Sequence, residues 1–529
     1  ADLDLNGAVA FPKMATFDAS AATGDIDILL GADTVTGTTD AKTLTLGSGN
    51  DDLDLGDLAP GEIGVLTVAM GAGNDALDLD DFADATMVIS GGDGTDTLTT
   101  AAAISAANGT KITGFETFNY GENTGTQSMA AISSNATFTK VIQGAATVTV
   151  TNMAATTNNI ELVGGVATAA GTFSRLIDGT ADSMTVKATT ANHAFTGNLS
   201  LADEETITFD SSAFDLVVAG DIVSTDATAV VLTGSNLITL GANGSKEFSS
   251  TKIATLDMSG VTGTEAVNVF AINNTVAMTV TGPATTGKLT LDTGSGADTI
   301  TAGGGILDVD AGNGDDTITG GAKADVLQGE GGADTITGGT GNDSIDVSEV
   351  TAVVDDIIFE AAATNGMDTI TGFATGTGVD TVSLVNADMT DAAVDAAGAA
   401  YAANSVIDLL SEATTLVTSG AAFVLASNST QTGIIEITTT LDTDVSLGAT
   451  STGNDLLQAL SSDATEAASI TVTTAGDDGY IIAYQSGNAY LWNYTNDANT
   501  AVIASELSLV SVFEGVTAGS FAEGDFIIA

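Results

Sequence analysis

From Thr293 to Asp346 the chain reads as six consecutive nine-residue units: TGSGADTIT, AGGGILDVD, AGNGDDTIT, GGAKADVLQ, GEGGADTIT and GGTGNDSID. Five carry Asp at the sixth position, Asp298, Asp316, Asp325, Asp334 and Asp343. All six carry an aliphatic residue at the eighth: Ile300, Val309, Ile318, Leu327, Ile336 and Ile345. A flexible Gly-rich linker needs no such phase, so the repeat argues for a stacked architecture. The Gly-rich half must turn tightly, and glycine reaches positive φ without steric cost. The last residues of each unit form a short strand with its aliphatic side chain inward. Two units per coil place turns eighteen residues apart on top of one another. The expected fold is all-β, a parallel β-helix.

The turns also imply a ligand. Each aims backbone carbonyls at one point, and the Asp adds a charged oxygen. Calcium is a hard cation that takes six to eight such oxygens. One stack contains Asp298, Asp316 and Asp334; the opposite one contains Asp325 and Asp343. Neighbours in a stack are expected to sandwich an ion, so several calcium ions are expected in all. Leu307 stands at the Asp position of the second unit and Lys323 at a Gly position of the fourth. The site between turns 302–307 and 320–325 is therefore discounted.

A looser set lies near the start: ILLGADTVT (28–36), LGSGNDDLD (46–54), MGAGNDALD (70–78) and GGDGTDTLT (91–99). Its sixth-position acids, Asp33, Asp51, Asp75 and Asp96, are expected to form another column. TFDASAATG (16–24) precedes this block and TLDMSGVTG (255–263) precedes the second, which suggests an internal duplication.

The chain has 529 residues, with 69 acidic against 10 basic and a formal charge of −59. Such a chain has no electrostatic footprint for nucleic acid, and it repels itself until cations neutralise it. Acidity of this degree often means disorder. Here 43% of residues are hydrophobic, and abundant Thr, Val and Ile favour β-structure instead. There is no Cys, hence no disulfide framework or Cys-based zinc site. The one His, His193 in ANHAF, reads as a surface or strand residue rather than a catalyst. No run of eighteen apolar residues appears, so no membrane insertion is expected. The start, ADLDLNGAVA, lacks a charged n-region and an apolar h-region. That fits a processed fragment or export without an N-terminal signal.

Residues 121–250 hold Thr/Val-rich runs such as ATVTV (146–150), TITFD (206–210) and AVVLTG (229–234), which fit β-rungs or a sandwich. After Asp346, NGMDTITGF (365–373) and TGTGVDTVS (375–383) carry late motifs with Asp368 and Asp380. The Ala-rich stretch 391–413 reads as a helix, and DLLQAL (455–460) as a shorter one. DDGYIIAYQSGNAYLWNY (477–494) reads as a hairpin turning at Ser486-Gly487-Asn488. LSLVSVF (507–513) and DFIIA (525–529) close the chain as strands. The expected modules are 1–120, a calcium-binding β-helix; 121–250, a Thr/Ala-rich β domain; 251–385, the nonapeptide β-roll; and 386–529, a small α+β capping domain, to which the family resemblance drawn below adds a secretion signal.

The nonapeptides, the GMDTITGFATGTGVDTVSL run and the aromatic hairpin resemble the RTX (repeat-in-toxin) family. The FDAS…TG lead-ins, GGDGTDTL…ITGFETFN and the sparse Lys are most similar to RTX-type S-layer proteins of the Caulobacter kind. The resemblance implies type I secretion with an uncleaved C-terminal signal. It also implies an extracellular location at the cell surface, and a two-dimensional lattice of copies of the chain. Surface polysaccharide is a second candidate partner, although the anchoring domain that such proteins use for it is not recognisable here.

Three functional classes compete. A structural, self-assembling surface-layer protein leads. An RTX adhesin or biofilm-matrix protein is the alternative, and 386–529 is the one region distinct enough to be its binding module. A hydrolase is disfavoured, because GxSxG and HExxH are absent and His193 has no assignable partner. The chain is expected not to be an enzyme.

Overall fold

The computed structural model describes residues 2–9, 15–30, 41–55, 65–79, 87–120, 125–132, 138–144, 147–164, 170–242, 248–270, 274–285, 287–376, 378–385, 409–412, 422–424, 434–439, 441–461, 467–471, 478–496, 501–522 and 524–528. They form two compact units, Ala1–Asn273 and Asn274–Ala529.

The first unit is a parallel β-solenoid. Its early turns alternate between two sheets. Leu3–Val9, Ile26–Leu30, Asp52–Asp54, Ala76–Asp78, Thr97–Thr99 and Thr117–Asn119 pair in parallel in one. Thr16–Asp18, Ala41–Thr45, Val65–Ala72, Val88–Asp93 and Ile112–Thr113 pair in parallel in the other. Strand alternation sends every second side chain inward. Parallel register therefore stacks Ile28, Leu53, Leu77, Leu98 and Phe118 into one buried column.

Rungs continue through 121–250. Lys140–Gln143, Asn159–Leu162, Ser183–Ala188, Thr206–Ser211, Ala229–Gly234 and Thr255–Val261 extend the first sheet. From His193–Phe195 onward a further parallel sheet is added, through Leu216–Val218, Ile238–Leu240 and Val267–Phe270. All these pairings are parallel, which sets aside the sandwich alternative, since sandwiches are built of antiparallel sheets. Thr255–Val261 stacks on Ala229–Gly234, so the start of the 251–385 segment belongs to the first solenoid. The two lead-ins share a local turn: Ser20 N–H donates to Asp18 Oδ1 at 3.0 Å and Ser259 N–H to Asp257 Oδ1 at 2.9 Å. They lie in different sheets, however, so the likeness is one of turn chemistry.

The interior of these rungs holds a buried ion pair. Arg175 Nε lies 2.7 Å from Glu204 Oε1, and Nη2 donates to Oε2 at 2.8 Å. The guanidinium also donates to the carbonyls of Ala154, Thr157 and Ser183, which satisfies the charge that burial would otherwise penalise.

The second unit contains the nonapeptide coils. Thr279–Thr281, Thr299–Thr301, Thr317–Thr319, Thr335–Thr337, Asp356–Ile358 and Thr381–Leu384 pair in parallel, as do Leu289–Asp292, Leu307–Asp310, Val326–Gln328, Ser344–Asp346 and Asp368–Thr371. All six eighth-position aliphatics are buried between the two sheets. Gly314 and Gly332 hold φ of 143° and 139°, and a Cβ on either would collide with the carbonyl oxygen of the Gly one turn earlier. Glycine is required there twice over, for conformation and for closeness.

The coils end in an α+β cap. Leu507–Phe513 adds in parallel to Asp368–Thr371 and pairs antiparallel with Asn488–Tyr494. That strand pairs with Gly479–Gln485, and Phe526–Ile528 adds to Thr381–Leu384. Helix Gly453–Ala459 buries Leu456 and Leu457 in the cluster that holds Trp492. The helix expected over 391–413 falls mostly outside the described residues. Its described part, Leu409–Glu412, is instead a strand paired with Ile434–Ile437, where sheet pairing overrides helix propensity.

The hairpin turns where its sequence predicts. Ser486 and Gly487 have φ of 55° and 87°, the left-handed pair of a type I′ turn. Asn tolerates that conformation better than Ser. Ser486→Asn is expected to stabilise the cap by about 0.5 kcal/mol, read as a raised denaturant midpoint with unchanged slope.

Candidate metal centre

The acids of the repeats stand in ladders. Each sixth-position carboxylate accepts, through Oδ1, the backbone N–H of the sixth-position residue one turn earlier. In the second unit one ladder runs from Met278 N–H to Asp298 (2.7 Å), Asp298 to Asp316 (2.6 Å), Asp316 to Asp334 (2.9 Å), Asp334 to Asp355 (2.9 Å) and Asp355 to Asp380 (3.1 Å). The opposite ladder runs from Leu307 N–H to Asp325 (2.8 Å), Asp325 to Asp343 (2.8 Å) and Asp343 to Asp368 (3.0 Å). In the first unit Ile26 N–H donates to Asp51 (2.9 Å), Asp51 to Asp75 (2.8 Å), Asp75 to Asp96 (2.9 Å) and Asp96 to Glu116 Oε2 (2.9 Å).

The sequence placed most of these acids in the columns in which they are found. Asp33 lies outside the described residues, and Ile26 occupies the position one turn before Asp51. The eighteen-residue step expected between Asp33 and Asp51 is thus replaced by a twenty-five-residue one. Asp368 and Asp380 extend the two ladders of the nonapeptide block. Glu116 and Asp355 are members that motif reading missed. The signal for both was present: each stands two residues before a buried side chain of the inner column, Phe118 and Ile357, at the spacing of Asp298 to Ile300. Neither has the Gly-rich lead-in.

The second carboxylate oxygens set two groups of these acids apart. Those of Asp51, Asp325, Asp368 and Asp380 are engaged, by Gly47 N–H (3.3 Å), Gly321 N–H (2.7 Å), Asn365 Nδ2 (2.7 Å) and Ala374 N–H (2.7 Å). The turn pair at 302–307 and 320–325 thus has a carboxylate whose two oxygens each already accept a backbone N–H. By contrast, Asp75, Asp96, Asp298, Asp316 and Asp343 each bury an Oδ2 that meets no donor. A buried charged acceptor without a partner is costly. The ion pairs of Lys140, Arg175, Lys187, Lys252 and Lys288 go to Glu161, Glu204, Asp210, Asp226 and Asp308, none of them in a ladder.

Burial raises these carboxyls, and their neighbours' charges add to it. Asp316, Asp334, Asp343 and Asp355 are pushed up to about 7, Asp368 to about 8 and Asp75 to about 6. Asp51, Asp96, Asp298, Asp325 and Asp380 are raised too, again chiefly by burial. An all-oxygen set with orphaned anionic acceptors fits a hard divalent cation such as calcium. The ladder acids with free oxygens would hold it, and the ion would supply charge neutralisation and cross-linking between turns.

His193 sits in a strand, buried, with Nδ1 3.3 Å from the Gly164 carbonyl oxygen and its ring edge-on to Phe195. Burial holds its pKa below the ordinary value. Among the described residues no helix is long and apolar enough to cross a membrane.

A family model for the RTX calcium-binding nonapeptide repeat matches in four copies, over residues 29–57, 290–306 and 310–345. The matched stretches contain Asp33, Asp51, Asp298, Asp316, Asp325, Asp334 and Asp343. No curated protein matches the chain.

Proposed function

We propose that this RTX-type calcium-binding β-solenoid is a structural cell-surface protein that folds on calcium and assembles with copies of itself into a two-dimensional layer. Repeats of this type are structural rather than catalytic. The observation that carries the reading is the set of ladders of buried carboxylates with orphaned oxygens. Such an array holds together poorly until cations occupy it, so binding and folding are coupled. Assembly follows by the same physics. A formal charge of −59 keeps copies apart until cations neutralise it. In an export setting, the low calcium of a cytoplasm leaves the chain loose for passage, and external calcium drives folding.

Within this reading the ladder acids are the calcium ligands of several ions, and Asp33, which lies outside the described residues, is a further ligand. The C-terminal region is the type I secretion signal and cap, and the partners are copies of the chain, with surface polysaccharide as the anchor. The test is a calcium titration of resin-stripped protein followed by circular dichroism and negative-stain electron microscopy. Sheets with a regular repeat are expected above a calcium threshold. Folding without assembly would shift the function to an adhesin or matrix component. No calcium response at all would overturn the reading.

A further inference from the structure

Directly after the last nonapeptide the chain departs from its repeat. Between strands Ser344–Asp346 and Asp356–Ile358 the turn reads VSEVTAVVD, with no glycine. It carries Glu349 over the preceding turn of the first ladder. Glu349 Oε1 accepts the Gly332 N–H at 3.0 Å, and Oε2 accepts the Val353 N–H at 2.8 Å. These two bonds hold its carboxylate in one orientation. Ligand oxygens of Asp334, Glu349 and Asp355 all lie within 4.8 Å of one another. Asp334 and Asp355 are 2% and 1% exposed. Each gives Oδ1 to a backbone N–H, and among the described residues no hydrogen bond to Oδ2 is found. A cavity of about 260 Å³ opens beside Glu349 and is lined also by Glu330 and Asn313.

Resting on the calcium reading above, we propose that Glu349 completes a three-carboxylate site with Asp334 and Asp355, and that this is the tightest calcium site of the nonapeptide block. Elsewhere in that ladder two carboxylates from successive turns face one another. Here a third anion is added by a turn outside the repeat, in place of glycine-turn carbonyls. Affinity for calcium rises with the number of charged ligands and with the rigidity of the site. Both features are present: three carboxylates, two of them buried and the third pinned by two backbone donors.

The test is isothermal titration of calcium into the stripped full chain and into Glu349→Gln. The native isotherm is expected to show a tight event that the variant weakens by about tenfold or more, the other events being unchanged. Val350→Ser, at a fully exposed position of the same turn, is expected to leave every event in place. Superimposable isotherms for native protein and Glu349→Gln would overturn the proposal while leaving the calcium reading intact. A native chain that takes up no calcium would overturn both. Should Glu349→Gln not fold, europium(III) bound to native protein supplies the answer, because its excitation line shifts with the summed charge of its ligands. A line characteristic of three carboxylates supports the site. Lines of two-carboxylate sites alone overturn it.

Discussion

Stripped of divalent ions, the protein is expected to lose stability as pH rises from 5 to 8. Asp316, Asp334, Asp343 and Asp355 have folded pKa values of about 7 and Asp368 of about 8, against 3.8 for an ordinary Asp. Raised folded values mean that the native state binds more protons than the unfolded chain between about pH 4 and about pH 8. The stabilisation is fully present below the unfolded value and is lost as pH climbs through the folded ones. Each acid accounts for on the order of 2 kcal/mol, once coupling between neighbours is discounted. Their sum is comparable with a whole domain's stability of about 5–15 kcal/mol. Calcium should reverse the trend, because it displaces the same protons and binds more tightly as pH rises. The measurement is a set of urea midpoints at pH 5, 6.5 and 8, with and without calcium. General surface repulsion acts in the same direction but is screened by added sodium chloride, whereas the buried ladder is screened far less. A metal-free midpoint that stays level or rises with pH would count against charged ladders as the controlling element.

The second large effect separates charge from hydrogen bonding. Asp316→Ala with Asp334→Ala removes the acceptors of the Asp298 and Asp316 N–H groups, which donate at 2.6 and 2.9 Å. Two buried donors left unpaired cost about 1–3 kcal/mol each. The ions held between these turns are lost as well, each worth about 2.7 kcal/mol at calcium a hundredfold above its dissociation constant. The block 293–346 should therefore fail to gain calcium-induced order. Asn at the same two positions keeps an oxygen for each N–H and removes the repulsion. The Asn variant should exceed the native protein in metal-free stability at pH 8 and fall below it in calcium. The first unit has its own ladder through Asp51, Asp75 and Asp96, and its response is expected to survive. Hydrogen exchange by mass spectrometry on peptides from 28–99 and 293–346 reads both blocks at once. Equal loss of calcium-induced protection in the two would contradict independent modules.

The nonapeptide block was legible because one rule repeats without exception in its strands. An aliphatic at every eighth position admits one way of stacking, and eighteen-residue coils bring like residues together. The hairpin, the short helix after Thr452 and the closing strands were legible for local reasons: turn chemistry, helical spacing and alternation. The first block was harder, since its turns are twenty-one to twenty-five residues apart. There the motif ILLGADTVT offered Asp33, whereas the buried column uses Ile28, so that Ile26 takes the ladder position before Asp51.

By itself, then, the sequence determined the parallel β-solenoid, the oxygen-rich turns and most of the acids that line them, because each follows from spacing along a single coil. Tertiary structure alone decided which acids keep a free oxygen. Asp316 and Asp325 have the same place in the motif, yet Gly321 N–H reaches the second oxygen of Asp325 and no donor reaches that of Asp316. It also decided that Glu116 and Asp355 join the ladders without a glycine motif, and that Glu349 lies close to Asp334 and Asp355. The reason is physical. A ladder position is defined by the N–H of the preceding turn, and which residue meets it depends on the length of the intervening loop, a quantity that local patterns do not encode.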